Sequence, residues 1–69
     1  MENQKEIIII SSEKAGIRID KFLAEEFDLT RTRIQNLIKD QNILVNGKKI
    51  KASYKIEEND EIEMEIPKF

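Results

Sequence analysis

Four consecutive isoleucines, Ile7 to Ile10, open the apolar pattern of the chain. With Glu6 before them and Ser11 after, residues 6–11 predict a β-strand buried on both faces or pressed against helices. Residues 12–16 predict a turn. From Ile19 the period changes. Ile19, Phe22, Leu23 and Phe27 share one helical face, while Lys21, Glu25 and Glu26 point away. Asp20 falls in the first turn of this helix, where a carboxylate meets the positive end of the helix dipole. After a break at residues 28–30, a second helix is expected, with Thr30 as its N-cap and Ile34, Leu37 and Ile38 as its apolar face. Gln41 and Asn42 should end it, Asn42 being the residue suited to a left-handed terminal conformation.

The rest of the pattern is extended. Asn46-Gly47 sits between Ile43-Leu44-Val45 and Lys48-Lys49-Ile50. It predicts a hairpin, because both central residues of a type I′ turn need positive φ. Asn59-Asp60 marks a further turn. Beyond it Ile62, Met64 and Ile66 alternate with Glu61, Glu63 and Glu65, a strand with one wet face that Pro67 would end. The expected order is β-α-α-β-β-β. This is an α+β fold of two short packed helices on a small, mostly antiparallel sheet. No repeat, low-complexity stretch or linker divides the chain, so residues 1–69 form a single domain. A chain this short buries only about 60% of its unfolded surface, leaving room for one thin core.

Composition removes several classes of function. With no cysteine and no histidine, the chain has no disulfide framework, no Cys/His zinc site and none of the commonest general base. No cofactor, metal site or nucleophile–base pair is expected, so neither is a free-standing enzyme. The apolar run of residues 7–10 is far too short to span a membrane, and the chain reads as intracellular and cytoplasmic. The net charge of −2 argues against a polyanionic partner until its distribution is considered. Residues 29–55 carry seven basic groups against the single acid Asp40, while residues 56–69 carry six acids against Lys68. Because charges beyond a Debye length of about 8 Å are screened, a polyanion meets the local patch rather than the total. Chance clustering on a solvated surface is the alternative.

The most informative stretch is Thr30-Arg31-Thr32-Arg33. Two arginines occupy a helical first turn, where free N–H groups and the dipole already present positive charge. A stability-optimised helix would carry acids there, and a capping box would put Glu or Gln at Arg33. Breaches of local rules are expected at functional sites. An anion resolves this one: free N–H groups, two hydroxyls and two guanidiniums would suit a phosphate. Thr32, Gln35, Asn36 and Lys39 lie on the helix side away from the apolar face. The competing explanation is that Arg31 and Arg33 merely pair with Asp28, Glu25 or Glu26. Lys48, Lys49 and Lys51 form a second basic cluster, which taken alone reads as protection of a strand edge.

These elements in order resemble the S4 RNA-binding domain. The resemblance runs through Gly16-Ile17-Arg18-Ile19-Asp20-Lys21-Phe22-Leu23 and Thr30-Arg31-Thr32-Arg33-Ile34-Gln35-Asn36-Leu37-Ile38. It continues through Ile43-Leu44-Val45-Asn46-Gly47-Lys48, Ser53-Tyr54-Lys55-Ile56 and Asn59-Asp60-Glu61-Ile62. The isoleucine-rich strand before them and the closing Ile62-to-Pro67 segment are similar to the N-terminal domain of large-subunit ribosomal RNA pseudouridine synthases. The resemblance implies RNA contacts at Arg18, Thr30, Arg31, Thr32, Arg33, Gln35 and Lys39, with Lys48 and Lys51 from the β part. Family members often carry glycine near Gln41 and at the position of Asn59; asparagine is the best non-glycine substitute for a left-handed residue.

The chain is expected to be a monomeric module cut from a longer protein, and the resemblance implies that it docks structured ribosomal RNA for a catalytic domain of the same polypeptide. The synthases carry a catalytic aspartate in an Arg-Leu-Asp motif of that other domain. Arg18-Ile19-Asp20 looks like it, but Asp20 is expected to be a helix-start residue or an arginine's partner, and no catalytic residue is assigned. A stand-alone ribosome-associated S4 protein is the alternative within the class. From another class comes a protein–protein adaptor using the acidic strand at residues 61–65 as its docking edge.

Overall fold

A computed structural model describes residues 4–66. Their order is β1 (Gln4–Ile9), a single 3-10 turn (Ser12–Lys14), α1 (Ile19–Glu26), α2 (Arg31–Lys39), β2 (Ile43–Val45) and β3 (Glu61–Ile66). The three strands form an antiparallel sheet in the order β1-β3-β2, with Ile8 opposite Ile62 and Ile43 opposite Met64. The two helices pack on each other and on one face of this sheet. Ile19, Leu23, Ile34, Ile43, Ile56, Ile62 and Met64 are sealed between them. The α+β architecture is the expected one, and the role read for Pro67 lies outside the described residues.

Local signals explain most of the boundaries. The Thr30 hydroxyl accepts a hydrogen bond from the Arg33 backbone N–H at 3.0 Å, so Thr30 caps α2 as expected. Asn46 (φ 53°) and Gly47 (φ 78°) both take the left-handed region that a type I′ turn requires, and so does Asn59 (φ 71°). At the end of α2 the left-handed residue is Gln41 (φ 64°), not Asn42. The Gln41 N–H donates to Ile38 and the Asn42 N–H to Leu37, the double bond pattern of a Schellman cap. That geometry fixes which position turns left, and side-chain preference does not override it.

Three expectations need correction. The isoleucine strand is not buried on both faces: Ile7 and Ile9 are 57% and 59% exposed. Two short helices cover only one side of a three-stranded sheet, so alternate side chains of β1 face water. The segment after the Asn46-Gly47 turn forms no ladder beyond one bridge, Val45 to Lys48. It crosses instead to residues 16–20: the N–H groups of Gly16, Ile19 and Asp20 donate to the carbonyls of Ile56, Tyr54 and Ala52. Finally, β3 is the central strand, hydrogen-bonded to β1 and β2. Its backbone is therefore no free docking edge, and only the Glu61, Glu63 and Glu65 side chains are offered outward.

Candidate nucleic-acid interface

The crossing of residues 52–56 over residues 16–20 brings the hairpin to the start of α1, and α1 in turn meets the start of α2. At that junction lies Asp20, with no solvent exposure. Its Oδ2 accepts hydrogen bonds from Arg18 Nη2 (3.1 Å), Arg31 Nη2 (3.2 Å) and Gln35 Nε2 (3.1 Å). Its Oδ1 accepts from the Lys21 backbone N–H at 2.7 Å. Burial alone would raise the Asp20 pKa. The bonds from Gln35, Arg31 and Lys21 and the charge of Arg18 outweigh it and hold the carboxyl below its ordinary 3.8. The acid is thus a fixed anion, and Asp20 is an arginine's partner.

The guanidiniums themselves stay accessible, with the Arg18 and Arg31 side chains 46% and 50% exposed. One Nη of each reaches Asp20, which leaves the remaining N–H groups of both free to bind an anion. Two cations against one carboxylate leave the cluster net positive. The acids named as competitors for the arginines, Asp28, Glu25 and Glu26, take no part in these bonds; Asp20 does. Arg33 enters no ion pair among the described residues, and only its backbone N–H is engaged, by Thr30.

The nine expected RNA contacts therefore separate. Arg18, Arg31 and Gln35 meet at one oxygen atom. Thr30 spends its hydroxyl on the cap, while Thr32 stands exposed in the same turn and Arg33 is half-buried. Lys39 is exposed on α2, roughly 12 Å along the axis from Arg31. Lys48 and Lys51 are exposed on the hairpin side, and Lys51 directly precedes the Ala52 that accepts from Asp20 N–H. Exposed Lys55 faces Arg18 across an isolated bridge and extends the basic strip; its pairing signal was absent from the local sequence.

A second buried acid organises the hairpin. Asp60 accepts from the Tyr54 hydroxyl (2.5 Å), Asn46 Nδ2 (3.0 Å) and the Glu57 N–H (2.9 Å). Asn46 Oδ1 in turn accepts from the Glu61 N–H at 3.0 Å. Burial raises the Asp60 pKa, but these donors prevail and lower it, while the bond to Asp60 pushes Tyr54 up to about 12. The Asn46-Gly47 turn is thereby tied to the turn before β3, which holds the lysine-bearing hairpin against the rest of the fold. Sequence patterning found both turns but not the carboxylate joining them.

Comparison with known proteins agrees with this architecture. The model of the S4 domain family matches residues 17–62. The chain is 44% identical over 61 residues to the uncharacterized RNA pseudouridine synthase YlyB of Bacillus subtilis, covering 87% of this chain and 20% of that protein. It is 35% identical over 57 residues to the ribosomal large subunit pseudouridine synthase C of Escherichia coli K12, covering 81% and 18%. An uncharacterized RNA pseudouridine synthase of Chlorobaculum parvum is 32% identical over 56 residues, covering 80% and 17%. The chain spans about a fifth of the length of these curated relatives. The match spans both helices, the hairpin and the entry of the last strand, and the chain belongs to the S4 domain family.

Proposed function

We propose that this chain is an RNA-binding module that docks structured ribosomal RNA for a pseudouridine synthase catalytic domain of the same polypeptide. The observation that carries it is the convergence of Arg18, the N-cap residue of α1, and Arg31 of α2 beside a first turn of α2 that holds no acid. Half-exposed guanidiniums next to free helix N–H groups are the donors a phosphate backbone takes. Membership of the S4 family and relatives named as pseudouridine synthases support the choice of RNA over other polyanions. The contact set is Arg18, Arg31, Thr32, Arg33, Gln35, Lys39, Lys48 and Lys51, with Thr30 shaping the turn that presents them. The module acts as a cytoplasmic monomer and leaves the chemistry to its companion domain.

The direct test is charge reversal at Arg33, whose side chain has no ion pair among the described residues. Arg33→Glu completes a capping box with Thr30, so the protein should gain about 0.5 kcal/mol of stability while losing RNA binding. The pair Lys5→Glu and Lys14→Glu should leave binding nearly unchanged. Equal losses from both changes in a binding titration would remove the patch from consideration. Arg31→Glu is a poorer probe, because it sets a carboxylate against buried Asp20 and should destabilise the fold.

A further inference from the structure

We infer that Asp20 is a positioning residue for RNA binding: a buried anion that holds Arg18, Arg31 and Gln35 as a phosphate clamp assembled before RNA arrives. The inference rests on the RNA-binding reading above. By charge alone an acid at this place should weaken the binding of a polyanion. Its geometry argues the opposite.

Asp20 has no exposed surface, so it does not face the ligand. One oxygen gathers three side chains that lie 2, 11 and 15 residues away in sequence. The other oxygen is pinned by the Lys21 N–H, which fixes the orientation of the carboxylate. Each arginine is thereby held by one Nη while its other N–H groups stay outward. An arginine ordered in advance avoids a loss on binding that is otherwise a factor of about 2–10 in Kd for each long side chain. Asp20 also answers the dipole conflict of α2, whose first turn has no acid of its own and receives this one from the neighbouring helix. Gln35, one turn beyond Arg31, completes the fan and sets the face of α2 that the clamp shares.

The test uses the full 69-residue chain and a fluorescein-labelled stem-loop of large-subunit ribosomal RNA. Asp20→Asn is nearly isosteric and removes a negative charge, yet it should weaken binding about tenfold. In an Arg18→Ala, Arg31→Ala, Gln35→Ala background, titrated at low salt where the remaining contacts bind best, the same substitution should weaken binding no further. Circular dichroism confirms that each variant is folded at the assay temperature. Failure of the native chain to bind would overturn the RNA-binding reading and this inference with it. Native binding with equal or tighter binding by Asp20→Asn would overturn the inference alone. So would the same loss in both backgrounds, which marks a general effect on folding. A second measurement needs no variant. In nuclear magnetic resonance spectra of the free protein, the Arg18 and Arg31 guanidinium groups should rotate slowly, with Arg33 as the freely rotating control. Equal, fast rotation of all three would show that no clamp exists before binding and would overturn the inference even if Asp20→Asn does not fold.

Discussion

Asp20 and Asp60, the buried charged residues among those described, are each kept ionised by donors from several elements. Both titrate below 3.8 in the folded protein. Their stabilisation is therefore complete above about pH 4 and is lost as the pH falls through the lower folded-state values. In acid titration followed by circular dichroism, the double variant Asp20→Asn, Asp60→Asn should be less stable at neutral pH. It should also show a flatter fall in stability toward acid. Tyr54 has the opposite sign: its pKa is raised from 10.0 to about 12, so its contribution is whole below pH 10 and disappears between the two values. It is the only tyrosine and there is no tryptophan, so phenolate absorbance reports it directly. Removing the hydroxyl in Tyr54→Phe should cost about 1–2 kcal/mol by leaving Asp60 short of one donor. A mid-point near 10 would show that this hydrogen bond does not form.

At the scale of elements, both ends of α2 depart from what a helix alone would choose, for different reasons. The start carries Arg31 and Arg33 against the dipole with no acid of its own, and buried Asp20 of the neighbouring helix, paired with Arg31, lends the missing one. The end carries a left-handed Gln41 because the Schellman pattern needs that position to turn, whatever residue occupies it. A non-glycine residue there costs ~1–2 kcal/mol, of which glycine would return only part because of its larger unfolded-state entropy. Gln41→Gly should thus stabilise the domain by roughly 0.5–1 kcal/mol in chemical denaturation, whereas Asn42→Gly should not. The reverse ranking would contradict the cap assigned here. In β1 the exposed Ile7 and Ile9 lie opposite Glu63 and Glu61 on the uncovered sheet face. Burial there is a property of the layer count, which the run of four isoleucines does not encode.

Across the whole molecule the charges separate by structure rather than cancelling. Arg18, Arg31, Lys51 and Lys55 gather where residues 52–56 cross residues 16–20. Glu61, Glu63 and Glu65 project from the central strand. A net charge of −2 is therefore compatible with one side that is locally cationic. If about 3–5 phosphates are touched, log K should fall against log salt with a slope of about −2 to −4. A flat response would exclude the basic side as the binding surface. Affinity of the module alone should be modest and rise when a catalytic domain is tethered to it. A surface depression of about 220 Å³ is lined by Lys5, Gln41, Asn42, Leu44, Glu63, Met64 and Glu65, none of them among the nine expected RNA contacts. Uridine isomerisation needs a base held in a closed pocket, out of its stack. The chain incubated with ribosomal RNA should accordingly form no pseudouridine, as read by carbodiimide labelling and primer extension.

Local chemistry was written plainly in the sequence wherever a residue acts on its own neighbours. Thr30 as cap, Asn46-Gly47 and Asn59 as turns, and the alternation of Ile62, Met64 and Ile66 with glutamates all concern groups a few positions apart. The arginines of α2 were legible too, because they break a rule that operates within a single helical turn. Only the tertiary structure decided what lies between distant segments. It paired residues 52–56 with residues 16–20 instead of with β2, and it set β3 in the centre of the sheet. It left Ile7 and Ile9 in water and made Asp20 and Asp60 the hubs of the two halves. A buried carboxylate finds its donors across 11 or 15 residues of intervening chain, and no periodicity or turn signal reaches that far.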